Sequence, residues 1–184
     1  MDSFIALIGS IVIGSLLLLR VLMLQTDFKQ HMYRQTFDLI VQDRAMSLIE
    51  MLDADFKDVG FGTTPPAFAR ADSDSVVYYV DLGEDGITDS VSYFVSGITG
   101  ASSTPNPHDK ILYRRVNNGQ PLAVGLGVTD FKLKYFNDIG NETNVLADIK
   151  TIEVTLELES TAPIDGKYSA FFSREKITPA SLVH

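Results

Sequence analysis

Four carboxylates, Asp81, Glu84, Asp85 and Asp89, gather around two glycines in DLGEDGITD, residues 81 to 89. Oxygen ligands at alternating positions suit a hard cation such as calcium. The spacing departs from the EF-hand loop, with Gly83 at the third position and Ser92 at the twelfth. A solvated acidic hairpin turn fits better, so no metal is expected at Asp81, Asp85 and Asp89. Asp53 and Asp55, two apart on a helix, point in diverging directions and cannot act as an acid/base dyad; both are expected at the surface or as capping residues. Ser102 and Ser103 precede His108 and Asp109, but no Gly-x-Ser-x-Gly elbow stands on a strand-to-helix turn. Gly125-Leu126-Gly127 leads into a strand rather than a helix, so it is no phosphate cradle. The histidines, His31, His108 and His184, are scattered, and cysteine is absent. No catalytic, cofactor-binding or metal-binding residues are expected; the chain reads as a non-enzyme without cofactor or small-molecule substrate.

Composition agrees. Among 184 residues, 15 Lys and Arg oppose 24 Asp and Glu, a formal charge of −9, so the chain lacks a basic footprint for nucleic acid. A hydrophobic share of 45% describes a globular protein rather than a disordered one. The lack of cysteine fits an extracytoplasmic protein that avoids thiol chemistry.

What must position these residues begins with FIALIGSIVIGSLLLLRVLML, Phe4 to Leu24, which carries one charge, Arg20. Its 21 residues match the roughly 20 that cross a bilayer core as a helix. Ala6, Ser10 and Gly14 stand four apart, with Gly9 beside them, a stripe that lets helices approach closely in lipid. Arg20 can snorkel to the interface. Arg20, Lys29 and Arg34 follow the start of the segment and none precedes it, so charge alone would put the C-terminal part in the cytoplasm.

No Gly or Pro interrupts the chain between Gly14 and Gly60. Phe37, Ile40, Val41, Leu48, Ile49, Leu52, Phe56 and Val59 recur at spacings of three and four, so an amphipathic helix continues the apolar one. From Phe4 to Val59 it would measure about 84 Å. Gly60 and Gly62 supply its stop. Residues 63 to 184 change period. After a polar connector, GTTPPAFARADSD, strands are expected at 74–81, 89–97, 110–116, 128–136, 149–160 and 167–177, with ASSTPNPHD, 101–109, as an exposed loop. In the clearest run Ile152, Val154, Leu156 and Leu158 alternate with Glu153, Thr155, Glu157 and Glu159, one face buried and one wet. The expected fold is α+β: a long N-terminal helix, 1–25 for membrane and assembly and 26–62 as its amphipathic continuation, packed on an antiparallel sheet of five or six strands.

This plan resembles type IV pilins and the pseudopilins of type II secretion, and most of all their larger minor subunits. IVIGSLLLLRVLML (11–24), MLDADFKDVGFG (51–62) and the pair GVTDFKLKYFND and IKTIEVTLELES carry the likeness. Family members have a leader ending in Gly and a glutamate five residues beyond the cut; aligned on Ile13-Gly14, this chain has Met1 and Ala6 there. The resemblance implies a filament or tip subunit with its C-terminal part outside the cytoplasm. Its partners would be copies of itself or other pilin-like chains, with membrane contact through residues 4–24. The expected assembly face comprises Phe4, Ala6, Ser10, Ile13, Gly14, Leu17 and Arg20. A membrane-anchored extracytoplasmic binding module is the rival reading.

Overall fold

The computed structural model describes residues 2–97 and 104–183. Helix α1 spans Asp2–Lys57. Seven strands follow: β1 Phe68–Ala71, β2 Ser75–Val80, β3 Asp89–Val95, β4 Lys110–Val116, β5 Leu122–Phe136, β6 Thr151–Glu159 and β7 Ala170–Ile177. They form one antiparallel sheet in sequence order, a meander in which each strand pairs with the next. The fold is therefore α+β, with seven strands where five or six were expected. The added strand is β1, inside the stretch read as a connector: Phe68 pairs with Tyr78 and is buried, while Ala69 and Arg70 face solvent. Four residues are too few for alternation to stand out. Strand β5 also begins six residues earlier than expected. Its first half contains two glycines and register shifts opposite β4, which blur the two-residue period.

The chain divides into two compact units, Met1–Phe37 and Asp38–His184. In the first, α1 alone is present. It is long and apolar enough to cross a membrane, with a mean hydropathy of 2.5 in its best 18-residue window and none of that window buried.

In the second unit, the last part of α1 lays Val41, Ala45, Leu48, Leu52 and Phe56 on the inner sheet face, followed by Val59 just past its end. The spacings of three and four hold these residues on one side of a 3.6-residue helix. Facing them are Tyr78, Tyr93, Leu112, Leu133, Leu156 and their neighbours, all buried. Each large side chain so buried contributes about 1.5–3 kcal/mol. Phe37 and Ile40, expected on this stripe, stay outside the core, and Ile40 is exposed. Phe56 meets Tyr78 and Tyr93 edge to face, at ring-centre distances of 6.0 and 5.5 Å.

The helix ends at Lys57, two residues before the expected Val59, ahead of the glycines read as its stop. Gly60 and Gly62 both have positive φ, 78° and 66°, and the exit zips onto β2: Gly60 N–H donates to the Tyr79 carbonyl and Asp81 N–H to the Phe61 carbonyl. A Cβ on Gly62 would stand 2.7 Å from that of Asp81.

Candidate functional site

The expected assembly face lies open. Phe4, Ala6, Ser10, Ile13, Gly14, Leu17 and Arg20 are all exposed, and a Cβ added at Gly9 or Gly14 would meet nothing within 4 Å. At 3.6 residues per turn, Ala6, Ser10, Gly14 and Leu17 share one side, with Ile13 and Arg20 on its flank. Phe4, two residues before Ala6, stands on the far side. Ser10 Oγ donates to the Ala6 carbonyl at 2.9 Å, Ser15 Oγ to the Ile11 carbonyl, and Thr26 Oγ1 to the Leu22 carbonyl at 3.0 Å. These three hydroxyls are satisfied within the helix. The small-residue side therefore offers close approach through size, not through a free hydrogen bond.

The acidic turn is built from its own carboxylates. Asp81, buried, accepts from the backbone N–H groups of Asp85 and Gly86 at 3.1 and 2.9 Å; Asp85 accepts from Ile87 N–H at 2.9 Å. Asp89 accepts from Leu82 N–H at 3.3 Å and from the Asn117 amide at 2.7 Å. Their lone pairs shape a turn in which Glu84 and Gly86 take positive φ.

Asp53 is at the surface as expected, paired with Lys57 at 2.6 Å. Asp55 is not, and the expectation of a surface or capping role is corrected. Its Oδ2 receives Tyr93 Oη at 2.6 Å and Arg114 Nε at 2.6 Å, tying α1 to β3 and β4. The Asp55 and Arg114 side chains are only 18% and 20% exposed. Burial, the hydrogen bond to Asp55 and its charge push the Tyr93 hydroxyl upward; Tyr78 beside it is raised by burial and by Asp55. Both phenols stay protonated donors. Asp55 directly precedes the core residue Phe56 and so borders the buried side of the helix; that position was the available signal.

The segment before β4 also departs from expectation. Ser102 and Ser103 lie outside the described residues, but Asn106 and Asp109, read as part of an exposed loop, are buried. Asn106 Nδ2 donates to Glu159 Oε2 at 2.8 Å and to the Ser160 carbonyl at 3.3 Å, and Asn106 Oδ1 accepts from His108 N–H at 3.0 Å. Asp109 is 1% exposed, and among the described residues neither carboxylate oxygen has a hydrogen-bond partner. Burial pushes its pKa above 3.8, the Thr104 side chain draws it back, the Glu159 charge raises it and His108 lowers it. Among the described residues no three His, Asp or Glu side chains stand close enough to hold a metal ion.

Aromatic side chains lie on both sides of the sheet. Tyr78 and Tyr93 enter the core, while Phe94 stacks on Tyr113 at 5.6 Å and has Arg115 over its ring at 5.8 Å. A recess of about 350 Å³ opens at the end of the sheet where α1 terminates, between Gly60–Phe68, Leu146–Lys150 and Ser181–Leu182.

The site thus defines an α+β protein that exposes a helix of membrane-crossing length and closes its sheet unit over a core of its own. No protein-family model matches the chain, and no curated protein matches it.

Proposed function

We propose that this chain is a structural subunit of a pilus-like or pseudopilus-like extracellular filament, or of its priming or tip complex. It assembles through its N-terminal apolar helix. One observation carries this reading: α1 exposes the large side chains of its apolar segment while bonding the Ser10, Ser15 and Thr26 hydroxyls to its own backbone, and the same helix supplies the core stripe of the sheet unit. An apolar surface of that length needs lipid or other helices around it. Small residues on one side favour other helices, each contact worth about 1 kcal/mol in lipid, so many heads act together. On this reading the sheet unit is extracytoplasmic and the helix head moves between membrane and filament axis.

The recess of about 350 Å³ favours the second reading, an anchored binding module whose helix only tethers. Replacing residues 4–24 by an unrelated apolar helix of equal length separates the two. A filament subunit loses assembly while its sheet unit stays folded. Retained assembly would contradict the proposal, and retained ligand binding with no assembly in either protein would favour the tether.

A further inference from the structure

Beyond the apolar segment, α1 carries large exposed apolar side chains: Phe28 and Met32 in the first unit, Leu39 and Met46 in the second, each between 53% and 66% exposed. In the first unit Phe28 and Met32, four apart, share one side of the helix; in the second Leu39 and Met46, seven apart, share one side, away from the core stripe of Val41, Leu48 and Leu52. Near these side chains the first stretch carries Asp27, Lys29, His31 and Arg34, and the second Asp38, Asp43 and Arg44. The first unit places Lys29, His31 and Arg34 beside Phe28 and Met32, whereas every acidic residue of the chain except Asp2 and Asp27 lies from Asp38 onward. Asp38 and Asp43 flank Leu39 and are exposed.

We propose that Leu39 and Met46 of one copy, flanked by Asp38, pack on Phe28 and Met32 of a second copy, flanked by Lys29, with the parallel helices offset by two heptads. The offset is 14 residues, about 21 Å along the axis. Unshifted parallel helices would set Asp38 against Asp43 of the neighbour across the seam; the two-heptad shift sets it against Lys29 and brings Met46 onto Met32. The two surfaces differ, so the contact does not close on itself and propagates as a filament. This inference rests on the assembly reading above and names the partner and register of that assembly.

The absence of cysteine makes the test direct. Met32→Cys and Met46→Cys are made in the full chain, singly and together, and treated in membranes with a short bis-maleimide. Co-expressed single variants should give a cross-linked dimer, the double variant a ladder, and each single variant alone neither. Lys29→Glu or Asp38→Lys should each cut the mixed product by roughly two- to five-fold, and the two together should restore it. Dimers from either single variant alone, or a yield indifferent to these charges, would overturn the proposal. If Gly14→Cys cross-links to itself while Met32→Cys and Met46→Cys never meet, the heads assemble and this seam is wrong. No product from any of the three overturns both the seam and the assembly reading.

Discussion

Asp55 holds three elements with one oxygen. Its two hydrogen bonds, from Tyr93 and Arg114, join α1 to β3 and β4 where the unit is mostly closed to water. Removing one member leaves the others desolvated without a partner, which costs more than the intact group gains. Asp55→Ala should lower the stability of the sheet unit by about 2–3 kcal/mol, and Tyr93→Phe by about 1 kcal/mol. Thermal unfolding of the full chain in detergent, followed by the β signal in circular dichroism, checks both. Asp109 has the opposite character. Burial raises its pKa above the 3.8 of an ordinary Asp carboxyl, so the folded chain holds that proton more tightly than the unfolded one. Its contribution then weakens folding at neutral pH, and stability is regained as pH falls through the raised value, with the gain complete below 3.8. Asp109→Asn, neutral throughout, should raise the unfolding midpoint at pH 7 and flatten this dependence. An unchanged midpoint and slope would contradict the assignment.

Helix α1 was legible because no Gly or Pro interrupts it between Gly14 and its end, and its Gly60 and Gly62 stop is local chemistry. Strands β2 and β6 were legible because they alternate between turn residues, and β3, β4 and β7 because runs rich in β-branched and aromatic residues stand between turn signals. Strand β1 and the start of β5 were not, because their pairing is set by partners. Gly127 shows this. Its φ is 86°, and a Cβ there would stand 2.7 Å from the Glu159 carbonyl oxygen, backbone that cannot turn aside. Gly127→Ala should therefore cost about 2 kcal/mol in thermal unfolding through strain at a position only glycine fits. The burial of Asp55 was hidden likewise, since its partners Tyr93 and Arg114 come from β3 and β4. By contrast Gly14 faces open space. Gly14→Leu should leave the unfolding midpoint of the sheet unit unchanged and reduce association of full-length chains in bilayers, read by sedimentation or cross-linking yield.

Seen whole, the molecule is unequal in a way that suits assembly. Its helix head is apolar and all but uncharged, while from Asp38 onward the chain carries nearly all of the acid. Such a sheet unit repels its own kind at long range and is drawn to the Lys29–Arg34 stretch of a neighbour, so assembly should weaken as salt rises even though the apolar contacts do not. The central claim is that this chain stands in a filament through that head. Electron microscopy of filaments sheared from the native cell, with gold-labelled antibody against the sheet unit, tests it most directly. The account predicts gold on the filaments, along the shaft or at the tip, and its loss when residues 4–24 are exchanged. Gold confined to bare membrane, beside filaments that carry none, would contradict it.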